Sequence, residues 1–324
     1  GARASCLCCS GLGPRGSVAR GPGPLGPVAG GQGMRIRIAT RGSPLARWQA
    51  ERVADLLRTV DPDIDVEFVV VATTGDLDRT TPLEQLGGQG VFVKEVQAAV
   101  LDGRADVAVH SAKDLPALTP DGLVLAAVPE RGDPRDALVG CCFLDLPDGA
   151  RVATGSIRRR AHLAYRRPDL HFEPLRGNIA TRLAKAADFD AIVIAQAALD
   201  RLGLTPAVVD PLDPGILLPQ VAQGALAVEC RSDDAATTNL LAGIEDPVAR
   251  RAVDAERGFL AELGAGCDLP VAAHARALDG AVELTGALSS YDGGTLLLET
   301  RRGADPGALG RSVARHLLGE RGGA

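Results

Sequence analysis

The chain has 324 residues, enough for two or three domains, with 46% apolar, 23% charged and 3% aromatic residues. That balance excludes a disordered or fibrous chain. The formal net charge of −6 argues against a non-specific nucleic-acid binder, which would be basic.

No apolar run reaches the length of a membrane span, and no basic segment followed by an apolar stretch marks a secretory signal. Seven cysteines, odd in number and irregular in spacing, carry no paired Cys-x-x-Cys motif for zinc. They fit a reducing cytosol with mostly inert thiols and no metal site.

In chain order, residues 1–33 come first, with 14 Gly or Pro and no apolar periodicity. They read as a disordered leader. Two G-x-G-x-x-G matches, Gly11–Gly16 and Gly21–Gly26, neither follow a strand nor open a helix, so no dinucleotide site is expected there. Met34 is the only methionine, and ordered pattern begins just after it. The natural start is therefore expected at Met34.

Ile36 and Ile38 mark a strand. Ser43-Pro44 caps a helix whose face runs through Trp48, Val53, Leu56, Leu57 and Val60. Val66–Ala72 is a strand, Phe92, Val96 and Val100 line a helix, and Asp106–His110 and Val124–Val128 are strands. The pattern then restarts: strand Arg151–Ala153, helix Ile157–Arg167, strand Leu170–Phe172, helix Ile179–Ala187, strand Ala191–Ala195. A linker from Leu217 to Gly224 leads to a strand at Ala225–Cys230. Asp246-Pro247 caps a helix reaching about Leu263, and strands near 271–277, 282–288 and 294–299 precede a helix near 307–318. Strand–helix alternation of this kind implies two similar α/β domains, followed by a small α+β domain, with a cleft between the first two.

Several strand-to-helix turns carry candidate chemistry, because strand C-terminal ends face the ligand crevice of an open α/β sheet. Thr40-Arg41-Gly42-Ser43 suits an anion; helix capping explains Ser43 but leaves Arg41 unexplained. Ala153-Thr154-Gly155-Ser156-Ile157-Arg158-Arg159 repeats the arrangement, and Arg176-Gly177-Asn178, with Arg182 on the next helix, makes a third. Three such turns predict a ligand with several carboxylates or phosphates. His110, Lys113 and Asp114 crowd another strand end, where a capping aspartate beside a solvated lysine is the competing reading. Cys267 lies in Gly264-Ala-Gly-Cys-Asp-Leu-Pro270. Most lone cysteines are inert core residues, but this loop suits an attachment point or nucleophile.

These segments resemble the porphobilinogen deaminase family. The motifs stand as Ile38-Ala-Thr-Arg-Gly-Ser-Pro-Leu-Ala46, Gly87-Gly-Gln-Gly-Val-Phe-Val-Lys94, Ala108-Val-His-Ser-Ala-Lys-Asp-Leu-Pro116 and Glu130-Arg-Gly-Asp-Pro-Arg-Asp136. They continue with Thr154-Gly-Ser-Ile-Arg-Arg159, Leu175-Arg-Gly-Asn-Ile-Ala-Thr-Arg-Leu183, Leu218-Pro-Gln-Val-Ala-Gln-Gly224 and Gly266-Cys267. The match is collinear from about 34 to 320.

The resemblance implies an α/β fold of two periplasmic-binding-protein-like lobes with mixed sheets, plus a small C-terminal α+β domain. Domain 1, the catalytic lobe, would be 34–131 with 224–243. Domain 2, the anion-binding lobe, would be 132–220, and domain 3, which attaches the cofactor, 246–321. The implied activity is the stepwise deaminating condensation of four porphobilinogen molecules onto a covalent dipyrromethane primer held by Cys267, releasing hydroxymethylbilane and ammonia. It also implies a cytoplasmic monomer without nucleic-acid or membrane partners.

By the same resemblance Asp114 is the catalytic carboxylate. Ser111, Lys113, Asp114, Thr154, Ser156, Arg158, Arg159 and Arg176 would hold the cofactor, and Arg41, Ser43, Arg182 and Gln223 the substrate. The residue types suit that chemistry. Loss of ammonia leaves an electron-poor azafulvene, which the α-carbon of the terminal pyrrole attacks, and one carboxylate can stabilise the cation and assist proton transfer. About a dozen carboxylates gather at the last stage, which arginine's fixed fork suits.

The chain departs from many relatives at Gln89, where they have Lys, and at Gly155, where they have Ser. The leader has no counterpart. The alternative, a non-catalytic two-lobed carboxylate-binding protein, would need neither Asp114 beside Lys113 nor a glycine-flanked Cys267. A nucleotide-dependent enzyme lacks the phosphate-loop sequence G-x-x-x-x-G-K-[ST].

Overall fold

Strand β1 (Arg35–Arg41) buries Ile36, Ile38 and Ala39 and lies at the centre of a parallel trio. The computed structural model describes residues 34–73, 92–264 and 269–319. After β1, the Ser43 hydroxyl accepts a hydrogen bond from the Ala46 amide at 3.3 Å, and Pro44 occupies the first helical position. Its fixed φ and missing N–H suit that place, and α1 (Pro44–Val60) follows. Helix α1 buries Ala46, Ala50, Val53, Ala54 and Leu57 along one face.

Strand β2 (Asp65–Val71) runs parallel to β1. Helix α2 (Lys94–Leu101), β3 (Val107–Ser111) and β4 (Leu123–Ala127) follow. The chain then leaves this sheet and builds another from β5 (Asp136–Val139), β6 (Arg151–Ala153), β7 (His171–Glu173), β8 (Ala191–Ala195) and β9 (Val209–Pro211). Helices α3 (Ile157–Arg166), α4 (Ile179–Ala184) and α5 (Gln196–Leu202) belong to this part. Strand β10 (Leu226–Arg231) returns to the first sheet.

The two five-stranded sheets share one pattern. Their orders are β2-β1-β3-β10-β4 and β7-β6-β8-β5-β9. In each, three strands run parallel, and a fourth runs antiparallel to both of its neighbours. That antiparallel strand is β10 in one sheet and β5 in the other. Each directly follows a segment that crosses between the sheets. The two crossing segments touch where the Gly132 amide donates to the Gly224 carbonyl at 2.9 Å. Gly224 has φ +85°, and an added Cβ would sit 2.5 Å from the Gly132 oxygen. Only glycine allows both the conformation and the approach.

After α6 (Ala235–Ala242), α7 (Pro247–Leu263) leads to the antiparallel meander β11 (Val271–Leu278), β12 (Ala281–Ser289) and β13 (Leu296–Gly303), and then to α8 (Pro306–Gly319). Phe259, Leu284, Val313 and Leu317 form the core between helices and sheet. Buried Glu256 on α7 ties this part to both crossing segments. Its carboxylate accepts from Arg131 Nη1 (2.8 Å) and Nη2 (3.1 Å), and from the amides of Ala222 (2.5 Å) and Ala275 (2.7 Å).

The fold class agrees with the sequence reading, and most expected elements form within a residue or two. The strand expected at 170–172 lies at His171–Glu173. The helix expected to reach Ala187 ends at Ala184, followed by a 3-10 turn at Ala186–Asp188. Four elements have no counterpart in the sequence reading: β5, β9, α5 and α6. Strand β5 is buried at all four positions, so it shows no alternation. Helix α5 starts directly at the end of β8, with no turn or side-chain cap between them and only Gln196 interrupting the apolar residues, which hides the boundary.

Candidate functional site

The first sheet ends in two turns that meet. Strand β3 stops at Ser111 and passes into a 3-10 turn, Ala112–Asp114. Arg41 closes β1, and its guanidinium lies 4.0 Å from the centroid of the Phe92 ring. Arg41, Ser43, His110, Ser111, Lys113 and Asp114 all line one small cavity of about 80 Å³. The structure thus gathers five expected residues, together with His110.

Across from them stand residues of the second sheet and the return segment. Lys113 Nζ donates to Gln223 Oε1 at 3.1 Å, and Gln223 Nε2 donates to Asp136 Oδ1 at 2.9 Å and to the Pro134 carbonyl at 2.8 Å. Asp136 opens β5 and is fully buried. It holds two of the arginines of α3: Arg158 Nη2 at 2.7 Å from Oδ2, and Arg159 Nε at 3.0 Å from Oδ1. Arg158 also donates to the Leu218 carbonyl at 2.6 Å, and Arg159 to the Val193 carbonyl at 2.8 Å. Arg158 and Arg159 are only 4% and 6% exposed. Much of each fork is therefore engaged by the protein itself.

The hydroxyl-bearing turns behave as helix starts. Ser156 caps α3 by accepting from the Arg159 amide at 3.4 Å, and Thr154 Oγ1 accepts from the Ser156 amide at 3.2 Å. Asn178 caps α4 through the Thr181 amide at 2.9 Å. Arg182 Nε donates to the Gly177 carbonyl at 2.8 Å. Arg182 shares its electrostatic surroundings with Arg159, Arg176 and Asp114. Cys267 and Gln89 lie outside the described residues.

Charge states follow from this crowding. Burial, then the nearby Arg159, pulls the Lys113 ammonium down from its ordinary value to about 8, although Asp114 and Asp136 pull the other way. Burial, Arg159 and Arg176 lower Arg182 to about 10, partly offset by Asp114. For Asp136, burial pushes upward, but Arg158, Arg159 and the Gln223 amide prevail and hold it well below the usual carboxylate range. Among the described residues, Lys113 and Arg182 are thus held below their ordinary values by burial and neighbouring guanidiniums, surroundings that suit a ligand bearing carboxylates.

Asp136 escaped the sequence reading as a site residue. Its signal was an acidic side chain at the head of the apolar run Ala137-Leu138-Val139, since a charge placed there must find partners. Among the described residues, no group of three or more His, Cys, Asp or Glu side chains could hold a metal ion.

Two family models match the chain. "Porphobilinogen deaminase, dipyromethane cofactor binding domain" covers residues 36–239, and "Porphobilinogen deaminase, C-terminal domain" covers residues 250–319. The chain is 45% identical over 290 residues to the porphobilinogen deaminase of Syntrophotalea carbinolica, spanning 87% of this chain and 92% of that one. It is 47% identical over 290 residues to that of Acidithiobacillus ferrooxidans, spanning 88% and 95%. Among solved structures, the methionine binding protein MetQ aligns with a TM-score of 0.42 and 15% identity, over 70% of this chain and 94% of that one.

Proposed function

Since the chain belongs to the porphobilinogen deaminase family, we propose that Asp114 is its catalytic carboxylate and that the cations around Asp114 hold the acetate and propionate groups of the growing pyrrole chain. The protein is a transferase of tetrapyrrole (haem) biosynthesis. It condenses four porphobilinogen molecules, with loss of ammonia, into hydroxymethylbilane, and its cofactor is dipyrromethane.

The observation that carries the residue assignment is the meeting of Asp114, Lys113 and Arg41 in one cavity, with Arg182 in electrostatic reach of Asp114. The residues fit an anionic cofactor, because burial and neighbouring guanidiniums hold Lys113 and Arg182 below their ordinary values. Carboxylates brought alongside would relieve both. When bound, dipyrromethane supplies the pyrrole carbon from which the chain is extended. Lys113, Arg158, Arg159 and Arg176 would hold its acid groups, with Ser111, Thr154 and Ser156 as hydroxyl partners. Cys267 would attach it, and Arg41, Ser43, Arg182 and Gln223 would orient the incoming substrate.

Asp114 then presents its charge to the pyrrole N–H groups. Positive charge develops when porphobilinogen sheds ammonia, and a fixed carboxylate stabilises it without reorganisation. The same oxygen can accept the proton released after carbon–carbon bond formation.

In our reading, residues 34–131 with 224–243, 132–220 and 246–321 are three domains, built on the three sheets. The enzyme works as a cytoplasmic monomer without nucleic-acid or membrane partners. No helix of the described residues is long and apolar enough to cross a membrane.

Two variants test the assignment. Asp114→Asn should lower turnover by about a hundred- to a thousand-fold, while the intact mass still includes dipyrromethane. Wild-type turnover would overturn the role of Asp114. Cys267→Ala should give the mass of the bare polypeptide, and a persisting adduct would move the attachment elsewhere.

A further inference from the structure

Asp136 has no part in the reading above, yet it is the most heavily engaged acid near the cleft. It is fully buried, and two guanidiniums and one side-chain amide converge on it. Stability alone gives little reason for such a charge, because well-packed apolar side chains often replace a buried ion pair at no loss. What Asp136 touches is more telling. Each of its three side-chain partners was expected at the site: Arg158, Arg159 and Gln223. Through Gln223 it also reaches Lys113, the residue next to Asp114.

We propose that Asp136 is a positioning residue: its carboxylate fixes Arg158 and Arg159 from behind and, through the Gln223 amide, holds Lys113 charged and in place beside Asp114. This rests on the assignment of the cleft made above.

The geometry divides the work. Asp136 Oδ2 takes Arg158, and Oδ1 takes Arg159 and Gln223. With Gln223 Nε2 donating to Asp136 and to the Pro134 carbonyl, its Oε1 is left to accept from Lys113. An aspartate here therefore dictates which way the Gln223 amide faces.

The electrostatics runs the same way. Lys113 faces Arg41, His110 and Asp114 in its cavity, and Arg158, Arg159 and Asp136 beyond Gln223. Asp114 and Asp136 favour its protonated form, whereas both arginines and burial oppose it. Removing the Asp136 charge lets Lys113 lose its proton at lower pH.

The test is steady-state kinetics of the holoenzyme with porphobilinogen, from about pH 6 to about pH 10, where kcat/KM reports groups of the free enzyme. Asp136→Asn should raise KM by about ten-fold, the effect of one hydrogen-bonded charge, with a smaller change in kcat. Its alkaline limb of kcat/KM should lie at lower pH than that of wild type. Asp136→Glu, which keeps the charge, should bring the limb back toward wild type. A purely structural role would lower the yield of folded enzyme and leave the limb in place, and that result overturns the proposal.

Should Asp136→Asn fail to fold, Gln223→Met serves, because it leaves Asp136 with both arginines while it cuts the link to Lys113, together with the bond to the Pro134 carbonyl. The limb should again move down, and an unmoved limb overturns the proposal. Lys113→Met and Arg159→Met separate the two claims. If both keep a wild-type KM, the reading of the cleft fails. If both raise KM while Asp136→Asn does not, only the positioning role fails.

Discussion

Glu256 offers the sharpest energetic test, because one carboxylate serves four donors from three parts of the chain. It has no exposed surface. Arg131, whose side chain is 11% exposed, spends two arms on it. The Ala222 and Ala275 amides spend their only hydrogens on it. Glu256→Gln keeps the volume but removes the charge and one acceptor. Breaking one partner of a buried pair costs about 3–5 kcal/mol, and each amide left without an acceptor adds about 1–3 kcal/mol. The amide oxygen of Gln can still serve one backbone N–H. The expected loss is therefore about 4–8 kcal/mol, a large share of the 5–15 kcal/mol typical of whole domains. Urea unfolding of the holoenzyme, followed through the single tryptophan, Trp48, reads this as a lower midpoint at similar slope. A double-mutant cycle with Arg131→Met should return a coupling above about 1 kcal/mol. A loss below about 1 kcal/mol with no coupling would refute the argument.

Two further expectations concern stability. His162 is buried, and burial, followed by the Arg158 charge, lowers it from 6.5 to about 3. It therefore stays neutral in the folded chain while the unfolded chain takes up a proton, so stability falls as pH drops from 6.5 toward 3, by up to about 1.4 kcal/mol per unit from this group. His162→Met should flatten that part of the profile, and an unchanged acid slope would contradict the assignment. Gly310→Ala should cost about 1–3 kcal/mol or more, because its Cβ would lie 2.2 Å from the Ala255 carbonyl oxygen and force α7 and α8 apart. Gly319→Ala meets nothing within 4 Å and serves as the neutral control in the same melting experiment.

The sequence carried the elements whose signals are local. The Ser43-Pro44 and Asp246-Pro247 starts sit at the heads of α1 and α7 as expected. The turn at Arg41 follows from an alternating run and the Ser43 cap, and the turn at Lys113 and Asp114 from the end of the apolar run Val107–Val109. Partnerships over long separations were not legible. Nothing near Arg158 in the chain names Asp136 as its acceptor, or announces that the Leu218 carbonyl will take one of its arms. Its five donors look equally available on paper, and the fold commits those of Nη1 and Nη2 to Leu218 and Asp136. Glu256 escaped for the same reason: at its place in α7 it reads as one more polar helix residue, and its donors lie 125, 34 and 19 positions away.

The exchange of antiparallel strands between the two sheets bears on the order in which the chain can fold. Strands β3 and β4 do not pair with each other; β10 lies between them. When synthesis has passed residue 127, the first sheet therefore has a gap between β3 and β4, and it keeps that gap until Arg231 is made. The second sheet is different. Its antiparallel strand β5 is the first of its strands to be made, so all five are present by Pro211. The part encoded second is thus able to finish first, while β3 and β4 wait with unpaired edges of the kind that invite aggregation. Contacts closed so late across so much chain slow the search for the native state. Refolding should accordingly show the second sheet protected from amide exchange before the first.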